Sequence, residues 1–99
     1  MIRRVVLVQF SGDATAEQIE RFVETVKSFP KMIPEIKSLS RGLHMNDGDD
    51  SVAFSHVSQF DFETMEDLQR FLTHPVHLEA IKGIFADVVA KRAVVNYQV

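Results

Sequence analysis

Residues 3–10, RRVVLVQF, form an apolar run with no clean alternation. Its β-branched residues, bounded by the turn chemistry of Ser11, Gly12 and Asp13, read as a strand that stops at a turn. Successive strand side chains point to opposite faces, so Val6, Val8 and Phe10 share one side while Val5 and Leu7 share the other. One layer of helices covers only one face of an antiparallel sheet. Some ~4–5 apolar side chains left wet on the second face would forgo several kcal/mol, at roughly 1.5–3 kcal/mol for each large side chain. A second copy of the same sheet, packed about a two-fold axis, is the simplest cover. The first strand therefore predicts a homodimer, the alternative being a central strand whose outer face stays half wet.

The rest of the chain supplies one domain around that strand. Its 99 residues leave too little chain for a second core, and 45% apolar residues suffice for one without staples. Fourteen acids against 11 bases, with no basic stripe, argue against a nucleic-acid partner. The absence of cysteine excludes disulfides, thiol nucleophiles and thiolate metal sites. The apolar run near the N-terminus is too short for a signal peptide or a membrane span, so a soluble cytoplasmic protein is expected.

Thr15 and Gln18 have capping-box spacing, and Ile19, Phe22, Val23 and Val26 then follow at helical intervals. Pro30 and Pro34 predict a connector after that helix. Residues 35–45 read as a second strand and 46–50 as a turn. A third strand spans 52–62, with Val52, Phe54, Phe60 and Phe62 at even positions. Thr64 caps a helix over 64–72 carrying Met65, Leu68, Phe71 and Leu72. A further helix over 76–89 would turn Leu78, Ile81, Phe85 and Val88 inward, and 93–99 close the chain as a fourth strand. The order is β-α-β-β-α-β, an α+β ferredoxin-like antiparallel sheet with helices on one face.

The heptapeptide FLTHPVH, residues 71–77, is the most distinctive local motif. Pro75 suits the first helical position, which leaves His74 outside the helix and His77 in its first turn. Two ligands on one helical face need both residues inside the helix, so the spacing argues against a metal site, and no cofactor is called for. The motif, together with RRVVLVQF, IPEIKSLSRG, FSHVSQFDF and EAIKGIFADVVAKRAVVNYQV, resembles the stress-responsive dimeric α+β barrel family, the Dabb domains. The resemblance spans nearly the whole chain, residues 1–99 as a single domain, and implies a ferredoxin-like protomer paired sheet to sheet.

Members of that family include plant stress-induced proteins and a polyketide cyclase whose cavity between sheet and helices holds the substrate. The resemblance implies that His77 stands where the cyclase has its general base, and Phe71 where it has an assisting tyrosine. It further implies a cavity wall from Val6, Val8, Phe22, Val23 and Val26, with His56 nearby. Two departures stand out: Phe71 lacks the hydroxyl, and Arg4 stands where members commonly carry a histidine. Cyclase chemistry therefore does not carry over intact, and His77 is the proposed catalytic residue that survives.

Each candidate also has a structural role open to it. His77 suits a general base near neutral pH, or a hydrogen bond that locks the helix start. His74 bonds nearby main chain in that turn or touches ligand; His56 is a bonded buried imidazole or faces the cavity; His44 is expected to be exposed. Arg4 either snorkels from the strand end into water, the commoner arrangement, or faces the cavity and needs an acid or an anionic ligand. Asp47, Asp49 and Asp50 lack the alternating ligands and later glutamate of a calcium loop and read as a solvated turn. Three functions remain open: a dimeric barrel binding a small apolar or aromatic molecule, an acid/base enzyme using His77, and a structural stress protein.

Overall fold

A computed structural model describes residues 1–49 and 54–99. The readings of Asp50 as turn and of Val52 as strand lie outside the described residues. The elements run β1 (Ile2–Phe10), α1 (Ala16–Met32), β2 (Ile36–Leu43), β3 (His56–Phe62), α2 (Met65–Thr73) and α3 (Pro75–Ala80). A wide π-type turn over Ile81–Phe85 leads into the short α4 (Ala86–Val88) and then β4 (Val89–Gln98). The four strands form one antiparallel sheet in the order β2-β3-β1-β4. This is the ferredoxin-like α+β fold expected from the order of elements.

α1 starts where the capping box closes it. Thr15 Oγ1 accepts from the Gln18 amide at 3.1 Å, and Gln18 Oε1 accepts from the Thr15 amide at 2.9 Å. Phe22, Val26 and Phe29 are the buried stripe, with Ile19 and Val23 at its half-buried margins. The helix does not stop at Pro30, as the sequence suggests, but runs on to Met32. A proline in the last turn forfeits only one intrahelical bond, and the Ile33 amide bonding the Phe29 carbonyl at 2.8 Å closes the end regardless.

The second helical layer departs further from the periodicity. Leu78 and Ile81, expected inward, are 41% and 37% exposed, while His77, Ala80 and Val88 are buried. The helix begins at Pro75, the first helical position expected of it, and breaks at Gly83, whose φ of −98° and ψ of −106° are not helical. Within α3 the buried face already runs through His77 and Ala80, so Leu78 turns outward before the break is reached. β4 in turn begins at Val89, four residues before the expected start. Its long neighbour β1 offers it partners from Ile2 to Phe10, with an irregularity between Gln9 and Phe10.

The core lies between the sheet and the helices. Phe29, Phe60, Phe62, Phe71, Leu68, Ile33 and Ile36 are buried there. On β3 the alternation is complete: His56, Ser58, Phe60 and Phe62 are buried beneath the helices, and Val57, Gln59 and Asp61 lie on the outer face. Register places Val5 beside Val95 and Leu7 between Val57 and Ala93 on that outer face. Among the described residues no helix lies on it, and Val95 is 59% exposed. Arg3 and Asp61 close one end with two hydrogen bonds at 2.8 and 3.1 Å.

Candidate functional site

Between the sheet and the helices lies a cavity of about 300 Å³. Val6, Val8 and Phe60 form its floor; Phe22, Val26 and Phe29 of α1 form one wall. Phe71, His77, Ile81 and Phe85 form the other, and Ala86, Lys91 and Arg92, all exposed, mark the rim. The polar residues lining it are Arg4, Ser58, His77, Lys91 and Arg92, of which Lys91 pairs with Gln9 in the outward register, and no described acid is among the lining residues.

His77 is placed by the motif that made it conspicuous. His74 Nδ1 accepts from the Val76 amide at 3.2 Å and so caps α3, while Pro75 takes the position where its missing N–H costs no bond. One turn on, His77 Nδ1 lies 3.2 Å from the Leu72 carbonyl oxygen. A carbonyl only accepts, so Nδ1 carries the proton, and in the neutral ring Nε2 keeps a free lone pair. Nε2 has no hydrogen-bond partner among the described residues. Burial is the main cause holding the His77 pKa below its ordinary value, the Leu72 bond opposes it, and the positive charges of Arg4 and Arg92 add to it. The Phe71 ring packs against the imidazole at 4.3 Å between centroids, supplying contact and no hydroxyl.

Arg4 does not snorkel into water. It is 7% exposed, and its Nη1 donates to Asn96 Oδ1 at 3.2 Å, its direct cross-strand partner. Snorkelling needs a strand end open to solvent, and Arg4 sits mid-sheet between β3 and β4 with its side chain under the helices. Desolvation, followed by repulsion from Arg92, lowers its pKa.

Of the residues expected around the cavity, Arg4, Val6, Val8, Phe22, Val26, Phe71 and His77 come together in its wall, and Val23, His56 and His74 do not. Val23 lies at the half-buried margin of the α1 stripe and packs against the core. His74 is occupied as a cap. His56 sits behind Phe22, whose ring lies 5.1 Å away and nearly perpendicular, and Arg41 Nε donates to its Nε2 at 3.0 Å. That bond fixes the proton on Nδ1, which is buried without a partner, and burial with the Arg41 charge pushes the His56 pKa down to about 4. His44 is exposed.

Arg92 and Asn96 escaped the sequence reading. Arg92 fell between the expected helix and the expected strand because β4 was expected to start later, and Asn96 matters only through a register that no local signal states. Among the described residues no three His, Asp or Glu converge in a way that would hold a metal ion. No helix among them is long and apolar enough to cross a membrane.

A ferredoxin-like sheet with one helical layer and an aromatic cavity beneath it defines an α+β barrel protomer. The chain belongs to the Dabb family, the stress responsive A/B barrel domain, whose family model matches residues 2–99. It is 23% identical over 77 residues to olivetolic acid cyclase of Cannabis sativa, covering 78% of this chain and 76% of that protein. The hydroxynitrile lyase of Passiflora edulis superposes with a TM-score of 0.89 at 23% identity, over 99% of this chain and 92% of that one. A dimeric ferredoxin-like protein of unknown function from Bacteroides fragilis superposes with a TM-score of 0.82 at 27% identity, over 99% and 95%.

Proposed function

We propose that this chain works as a homodimer that takes a small, largely apolar or aromatic molecule into the cavity between sheet and helices. The observation that carries this reading is the cavity itself: about 300 Å³ walled by phenylalanines, with a few polar groups turned into it. Small-molecule sites have this character, an apolar lining with sparse polar anchors. The dimer is supported by the outer sheet face bearing Val5, Leu7, Val57, Ala93 and Val95, and by a structural neighbour described as dimeric.

A second reading, proton transfer at the bound molecule, is favoured by the state of His77. Its Nδ1–H is anchored to Leu72 and its Nε2 lone pair is left without a described partner, as a general base requires. Two proteins similar to this chain are named as a cyclase and a lyase. On this reading Arg4 takes the place of the missing Phe71 hydroxyl, its guanidinium stabilising the negative charge that develops when a C–H proton leaves.

One experiment addresses both readings. Aromatic β-keto esters and related C–H acids are titrated into the protein while the melting temperature and deuterium exchange of the probe in D2O are followed. A ligand raises the melting temperature, and His77→Ala keeps the dimer but weakens that stabilisation. Exchange faster than in buffer alone, lost in His77→Ala, establishes proton transfer. A panel that leaves the melting temperature unchanged sinks the cavity reading, and stabilisation without exchange leaves a binding protein.

A further inference from the structure

Arg4 is the feature of the cavity that an apolar ligand leaves unexplained. Placing a guanidinium beneath a helical layer costs free energy that a paired anion normally offsets. Arg3 and Arg70 show the usual solution: Arg3 holds Asp61 through two bonds and Arg70 holds Glu66 and Asp67, while the half-buried Arg41 donates to the His56 imidazole. Arg4, 93% buried by its 7% exposure, has only the neutral carboxamide of Asn96. Among the described residues no carboxylate pairs with it, and none lines the cavity that its side chain borders.

A second cation stands on the same face. Arg92 pairs with Val8 in the β1–β4 ladder as Asn96 pairs with Arg4, so it projects to the helix side of the sheet, at the cavity rim. Its charge is felt at both Arg4 and His77. Positive charge thus gathers at one aromatic cavity in a chain whose net charge is −3. A cleft lined by one sign of charge in low-dielectric surroundings concentrates ions of the other sign.

We propose that the ligand of this cavity is a small organic anion, a carboxylate or similar acid group on an aromatic or short apolar body, with its charge received by Arg4. This rests on the reading that the cavity is a ligand site. The guanidinium fork offers two parallel N–H donors to a carboxylate, a geometry Lys or His does not supply. One of its nitrogens is already steadied by Asn96. The apolar body lies among Phe22, Phe29, Phe60 and Phe85. At about 300 Å³ the cavity stands at the small end of ligand sites, the scale of a single-ring acid. Arg92 at the rim draws the anion in and is screened by salt.

The test compares benzoate with benzamide, its neutral counterpart, by NMR titration of the backbone amides at matched ionic strength, repeated at low and high salt. The parent protein is expected to bind benzoate at least about tenfold more tightly, the scale of a hydrogen bond to a charged group. Arg4→Gln abolishes that preference and keeps the weaker benzamide binding. Arg92→Gln, at an exposed position, lowers benzoate affinity less and flattens its dependence on salt; an unchanged preference and salt dependence there count against the inference even if Arg4→Gln does not fold. Equal affinity for the two probes, with cavity amides shifting for both, overturns the anion and leaves the cavity reading standing. Amides that respond to neither probe overturn the cavity reading, and the inference with it.

Discussion

His56 and His77 are both buried imidazoles held neutral, by opposite arrangements. His77 donates through Nδ1 and keeps an Nε2 lone pair free, whereas His56 accepts at Nε2 and buries an unpaired Nδ1–H. The first borders the cavity and the second lies outside its wall. Their pKa values are lowered in the folded chain, to about 4 for His56, against an ordinary value of 6.5. In that window the unfolded state binds more protons than the folded one, so stability is full above the unfolded value and is lost as pH falls through 6.5 toward 4. For His56 the loss approaches about 3 kcal/mol, at ~1.4 kcal/mol per unit. Melting temperature measured from pH 7 to pH 4 should therefore fall steeply, and His56→Gln, still accepting from Arg41, should flatten the curve. An equally steep curve in that variant would assign the acid sensitivity elsewhere. Both histidines were visible as candidates in the sequence, but their roles were not, because each depends on which carbonyl or guanidinium the fold sets against the ring.

Helix starts were more legible than helix ends. Thr15 and Thr64 cap α1 and α2 through side-chain oxygens, as their spacing implied, and His74 with Pro75 opens α3. These signals are local, formed within three or four residues. Thr15→Ala removes the acceptor for the Gln18 amide and is expected to cost about 1 kcal/mol, or ~4–8 °C in a domain of this size, measured by urea and thermal unfolding. A loss near zero would mean that water caps α1 equally well. Termination is different: Pro30 was tolerated inside α1 because the Phe29–Ile33 bond and the burial of Phe29 outweigh one missing bond. α3 buries His77 and Ala80 and so turns Leu78 outward, while Ile81 and Phe85, on either side of the break at Gly83, both reach the cavity wall. No 3.6-residue count survives such an interruption.

At the scale of the molecule the dominant feature is the outer sheet face. The helices occupy one side of β1 and leave Val5 and Leu7 beside Val57, Ala93 and Val95 on the other. Pairing two such faces removes both from water, and a two-fold axis presents each residue's environment twice. Val95→Lys then adds a charge from each protomer to the shared face, and the dimer dissociation constant from sedimentation is expected to rise at least tenfold, a cost of ~1.4 kcal/mol or more. The cavity lies on the opposite side of the sheet, so benzoate binding per protomer should change far less. A parent protein that sediments as a monomer at micromolar concentration removes the dimer and this prediction together.

The two-sided greasiness of β1, the order of its elements and the capping motif around Pro75 were determined by sequence alone, since each rests on short-range alternation or on the chemistry of one turn. The meeting of Arg4 with Asn96, the approach of Arg92 and the anchoring of His77 to Leu72 were decided by tertiary structure. Strand register brings together groups up to 92 positions apart in the chain, and local patterns hold no record of which partner a side chain will find across a sheet.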